Sequence, residues 1–187
     1  MSDNYTNEEK VKHLFEIIKR TDAYILSTNQ KCAIIISYCV AVVGWLSINI
    51  TRILSDFSPA TLYCIAVVAI FVLISFSCLC ICLAVAVIFP ITNSSVERVS
   101  DESMIFFGDV AVTKHGAGGY LKKINELDLP AFVNDLGQQV FTLSTIADSK
   151  FKKIKALNRF LVGGTIVPLF VLLVSLLVNS VLIWVAK

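Results

Sequence analysis

The sequence predicts an all-α integral membrane protein: three transmembrane helices with a juxtamembrane cytoplasmic helical bundle formed by extensions of spans one and three. Two observations carry this. Of 187 residues, 56% are hydrophobic and only 16% are charged, where a soluble chain carries about 25% charge. Charged residues also vanish three times, between Lys31 and Arg52, between Asp56 and Glu97, and between Arg159 and Lys187. Each gap exceeds the roughly 18 apolar residues that mark a membrane-spanning helix. The formal net charge of +2 gives no reason to expect a nucleic-acid partner.

In chain order, residues 1–32 form an N-terminal cytoplasmic amphipathic helix, in which Val11, Leu14, Phe15 and Ile18 stand at helical spacing. The segment 33–89 follows as a transmembrane hairpin, with spans at 33–50 and 62–89 joined by the turn Thr51–Thr61. The second span is longer than a bilayer core of about 30 Å requires, so it tilts or runs past the membrane surface. Some thirty polar and charged residues precede the first apolar run and no small-residue cleavage site follows it. Span one is therefore expected to remain in the mature protein.

Residues 90–159 make a cytoplasmic helical region. Pro90 ends or kinks span two, Ser100-Asp101-Glu102 has the composition of a helix start, and Met104–Val112 suits one short helix. His115-Gly116-Ala117-Gly118-Gly119 is read as a flexible linker, because the lysine and hydroxyl of a phosphate loop are missing. From Val133 an apolar seam steps by three and four through Leu136, Val140, Leu143 and Ala147, meets Lys150, resumes at Ile154 and Leu157, and reaches Leu161. One helix is thus expected to cross the membrane surface without a break into the third span, 160–187.

Orientation follows from the basic residues. Lys10, Lys12, Lys19, Arg20 and Lys31 precede span one, and Lys150, Lys152, Lys153, Lys155 and Arg159 lead into span three, whereas Arg52 and Lys187 alone lie at the other membrane face. The positive-inside bias puts the N-terminus and the 90–159 region in the cytoplasm and the C-terminus in the periplasm. Trp45, Tyr63 and Trp184 fall toward the outer ends of their spans, where amphipathic rings favour the interface.

Enzymatic chemistry finds no support. His13 and His115 are isolated, and no nucleophile elbow, zincin motif or dinucleotide fingerprint occurs. The Cys78-x-Cys80-x-Cys82 run looks like a ligand set until helix geometry is applied, since Cys80 then points away from the other two. Cysteines in spans read as small helix-packing residues, and no metal or cofactor is expected. Ser175 and Asn179 share a face of span three, with Asn49 at similar depth on span one. They suit interhelical hydrogen bonds, or the lining of a pore once several copies assemble.

Lys150 interrupts an apolar seam, so its ammonium needs a carboxylate, a ligand phosphate or a route to water. Asp22, at matching depth on the N-terminal helix, is the candidate partner for a structural charge pair. Lys152, Lys153 and Lys155 fall outside the seam and are explained by topology and anionic lipid headgroups.

Asn29-Gln30-Lys31-Cys32-Ala33, then Ile105-Phe106-Phe107-Gly108-Asp109-Val110-Ala111, then Asp135-Leu136, Gln138-Gln139-Val140, Leu143-Ser144, Ile146-Ala147 and Lys150 occur in that order. In this the chain resembles the transmembrane effectors of bacterial Pycsar anti-phage defence, from about Thr21 to its end. It departs from their Asp-x-Lys-Ala motif, where Asn29 and Cys32 replace the first and last residues. The resemblance implies a bacterial inner-membrane protein that answers a cyclic pyrimidine nucleotide, cUMP or cCMP, made by a partner cyclase, and impairs the membrane, causing abortive infection. The candidate ligand contacts are Lys31, Asp109, Gln138 and Lys150. The partners expected are lipid, the nucleotide and further copies of the chain. The competing class is a non-enzymatic membrane scaffold or accessory subunit that recruits a cytoplasmic partner.

Overall fold

The computed structural model describes residues 5–57, 59–89 and 103–185. Pro90 and Ser100–Glu102 lie outside them. The described residues hold six α-helices and no strand: α1 (Asn7–Ser55), α2 (Ala60–Ile88), α3 (Phe107–Ala111), α4 (Gly116–Glu126), α5 (Leu129–Leu161) and α6 (Val167–Val185), with a π-helical turn, Val162–Ile166, joining α5 to α6. Three helices are long and apolar enough to cross a membrane: α1, α2, and the run from α5 through the π turn to α6.

The start of α1 is written in its first residues. Thr6 Oγ1 accepts the Glu9 N–H (3.3 Å), while a Glu9 carboxylate oxygen accepts the Thr6 N–H (2.9 Å) and hydroxyl (3.0 Å), a reciprocal cap that satisfies otherwise orphaned donors. The Thr6 amide, then its hydroxyl, holds the exposed Glu9 carboxyl below its usual range.

The chain divides into two compact units, residues 1–27 with 90–150, and residues 28–89 with 151–187. The second is a three-helix membrane unit, whose buried stripes follow helical spacing. On α1 they run Cys32, Ile35, Cys39, Leu46, Ile53; on α2, Ala66, Ala69, Ile70, Leu73, Ser77, Cys80, Ala84, Val87; on α6, Pro168, Leu172, Ser175, Asn179. The opposite faces are bare hydrocarbon, with Ile48 81%, Phe71 72% and Leu177 68% exposed. Such surface is tolerable only against lipid. Trp45, Tyr63 and Trp184 also turn outward.

The structure corrects two expectations. The first turn is shorter than Thr51–Thr61, because α1 continues to Ser55; Ile53 and Phe57 are buried among Leu46, Ala66, Ile70 and Leu73, and that apolar gain extends the helix. Asn179 Nδ2 closes the turn by donating to the Asp56 carbonyl at 2.7 Å. Ser175 donates within its own helix to the Val171 carbonyl at 2.8 Å, and Asn49 to that of Trp45 at 2.9 Å.

The second correction concerns His115–Gly119, which is the start of α4. His115 and Gly116 take the left-handed φ values 68° and 59° that turn the chain into the helix. A Cβ on Gly119 would stand 1.9 Å from the Lys114 carbonyl oxygen. Glycine here serves a tight reversal, in place of flexibility.

A candidate latch and cavity around Ser103

In the unit of residues 1–27 with 90–150 the polar side chains converge on Ser103, which is buried. Its hydroxyl accepts the N–H groups of Ile105 (3.1 Å) and Phe106 (3.0 Å), the local turn bonding by which a serine side chain takes up nearby backbone donors. The same hydroxyl donates to Asp135 Oδ1 (2.8 Å) and accepts from Gln139 Nε2 (3.0 Å). Asp135 Oδ2 takes the Met104 N–H (2.8 Å), and Asp109 Oδ2 takes the Ser103 N–H (2.9 Å). Tyr120 on α4 donates its phenol to the Met104 carbonyl at 2.9 Å.

The result is a latch. Residues 103–106 have no regular ladder to satisfy them, and α5 supplies the missing partners through Asp135 and Gln139, one turn apart on one face. Bonds to an ionised carboxylate are worth about 1.5–3 kcal/mol each, so Asp135 is the strongest tie between this segment and α5.

Beside the latch lies a cavity of about 570 Å³, lined by Met104, Ile105, Tyr120, Ile124, Phe132 and Asp128 among others. Its walls are mostly apolar, and its charged member, Asp128, caps α5 by accepting the Ala131 N–H at 2.8 Å. With Asp109 and Asp135 nearby, the surroundings are acidic and suit an apolar or hydrogen-bond-donating group better than a phosphate.

The four candidate ligand contacts lie on three helices, α1, α3 and α5. Asp109 serves the latch, on α3. Gln138 is half buried; its neighbour Gln139 is the one drawn fully inside, because a step of three from buried Leu136 lands on 139. Lys31 is exposed on the part of α1 that belongs to the membrane unit. Lys150 is only 3% exposed and lies on the same stripe as Leu136, Ala147, Ile154 and Leu157, as its place in the seam requires. Asp22 is exposed on α1, as are Lys152, Lys153 and Lys155 on α5.

Ser103, Tyr120, Asp135 and Gln139 were missed as site residues. The legible signal was Asp135 and Gln139 at i and i+4, flanking the seam residue Leu136. Ser103 carried none, since its partners are more than thirty residues away.

Comparison with known proteins fits this architecture. Residues 13–178 match the family model of the Pycsar effector protein domain. The chain is 31% identical over 147 residues to the Pycsar effector protein EcPycTM of Escherichia coli, covering 78% of this chain and 79% of that protein. No solved structure matches. With three apolar helices of membrane-spanning length and a family match across most of its residues, the chain belongs to the Pycsar effector family, transmembrane proteins of antiviral defence.

Proposed function

We propose that this effector sits in the bacterial inner membrane with its N-terminus in the cytoplasm, responds to cUMP or cCMP made by a partner cyclase, and impairs membrane integrity, so that infection aborts. The N-terminal part of α1 and the α5 extension form the cytoplasmic bundle that receives the signal, and several copies act together. No catalytic step belongs to it.

The observation that supports this reading most is Lys150. A lysine 3% exposed on an otherwise apolar stripe is costly unless its charge is used, and a cyclic nucleotide is a small anion. Lys150 lies on a helix that continues into the third span, so a change in its surroundings acts directly on a membrane-crossing element. A charge pair with Asp22 is the structural alternative for the same ammonium. The cavity near Tyr120, with Phe107 72% and Val112 78% exposed, favours a second reading, a scaffold that holds a cytoplasmic partner.

Purified protein in liposomes separates these. Added cUMP or cCMP should release an entrapped dye. Lys150→Met should fold and insert but lose nucleotide binding and leakage by at least tenfold, while Lys153→Met keeps both. Loss of folding in Lys150→Met that is restored when Asp22→Asn is added would move the role to the charge pair. Indifference to both nucleotides, with a partner protein that co-purifies, would overturn the effector reading in favour of the scaffold.

A further inference from the structure

The apolar core of the membrane unit is not continuous. One cluster joins Cys32, Ile35, Cys39, Cys80, Ala84, Val87, Ile154 and Leu157; the other joins Leu46, Ile53, Phe57, Ala66, Ala69, Ile70, Leu73 and Leu172. Each helix leaves the first cluster and enters the second across a gap: Cys39 to Leu46 on α1, Cys80 to Leu73 on α2, Leu157 to Leu172 on the third. In the last two gaps the buried residues are Ser77, Gly164, Thr165 and Pro168, which are small, polar or helix-perturbing.

Three independent features meet in this layer. The third helix loosens into the π turn Val162–Ile166, where Val167 N–H donates to the Val162 carbonyl. Pro168, which lacks an N–H, removes the rung that would follow, and the Thr165 hydroxyl donates back to the Leu161 carbonyl at 2.6 Å. Turns of this kind recur at functional sites. Gly164 lies against the Phe76 ring so closely that a Cβ would stand 2.0 Å from its Cδ1, so the ring of α2 seats in the notch that the glycine leaves on the turn. Next to that contact, the Ser77 hydroxyl is wholly buried and has no hydrogen-bond partner among the described residues; nor has the Tyr38 hydroxyl. A buried hydroxyl left unpaired marks a place that another molecule or another conformation completes.

We infer that this layer is where the membrane unit opens: α6 pivots about the Val162–Ile166 turn, water enters between the two apolar clusters, and the Ser77 and Thr165 hydroxyls line the path through which ions leak. The inference rests on the reading of the protein as a membrane-impairing effector and names the residues that would carry out the impairment. Space for the motion exists beside Pro168, where an apolar groove of about 410 Å³ runs between Val68, Ala69 and Val72 of α2 and Val167 and Val171 of α6. Lipid tails fill such a groove and can be displaced. The apolar clusters on either side keep the path closed at rest, since a hydroxyl alone does not hold water against that surround.

The test places a charge in the layer without any nucleotide. Full-length Ser77→Cys in liposomes, treated after insertion with a cationic thiosulfonate, should leak at least tenfold faster than the wild type given the same reagent, which controls for the native cysteines. Ser77→Asp should leak untreated. Ser77→Ala with Thr165→Val should bind cUMP or cCMP normally and lose at least tenfold of the leak those nucleotides cause. Tight liposomes from Ser77→Cys after mass spectrometry confirms its modification, or full nucleotide-driven leakage from the double variant, would overturn the inference. A wild type that ignores both nucleotides, beside a modified Ser77→Cys that leaks, would sink the nucleotide reading and leave the pivot standing.

Discussion

At the scale of single residues, what decides this protein is whether a polar group inside it has a partner. Ser103 is buried and fully engaged, with Asp135 as its main acceptor; Ser77 is buried and unengaged among the described residues. The two serines look alike in sequence, and their surroundings assign one to holding and the other to moving. Asp135→Ala would strand the Ser103 hydroxyl and the Met104 amide, a loss of about 2–3 kcal/mol. Amide exchange at Met104 should then rise on the order of 100-fold, using about 1.4 kcal/mol per tenfold, while α2 and α6 amides stay unchanged. Asp135→Asn keeps one acceptor and should fall between. Unchanged exchange at Met104 in Asp135→Ala would show that the latch is held elsewhere.

At the scale of elements, helix ends are set by a few side chains and helix faces by many. The Thr6–Glu9 cap starts α1 in a segment otherwise free to fray, and Thr6→Ala should cost that end about 1 kcal/mol. The cap also gives α1 a pH dependence of definite sign. Glu9 is held below the usual carboxylate range by the Thr6 amide and hydroxyl, so its contribution is present above that range and is lost as pH falls through the lowered value. An NMR titration should find Glu9 below the ordinary carboxylate range in the wild type and closer to it in Thr6→Ala; equal values would remove the cap as the cause. The same local logic explains α4, where His115 and Gly116 at positive φ start a helix from glycines that read as a linker.

At the scale of the whole molecule, the apolar outer faces of α1, α2 and α6 require lipid, and the basic residues before span one and along α5 choose the side. A reporter fused after Lys187 should register as periplasmic. One inserted after Val112, in the exposed stretch between α3 and α4, should register as cytoplasmic. The reverse pattern would invert the orientation and remove the basis for a cytoplasmic ligand.

The sequence by itself determined the three apolar helices, the break-free passage of α5 toward the third span, and the burial of Lys150 on its stripe. Each of these follows from the period of one helix, which a single segment carries in full. It also separated Cys80 from Cys78 and Cys82, as the structure does, with Cys80 buried and its neighbours exposed. Other features were decided only by tertiary structure. Ser103 finds Asp135 and Gln139 across more than thirty residues, and Gly164 meets Phe76 across more than eighty. The gap between the two apolar clusters exists because α2 and the third helix place small, polar or helix-perturbing residues between them. Periodicity shows which face of a helix is buried; it does not show which residues of two distant helices arrive opposite each other, and both the latch and the pivot depend on that alignment.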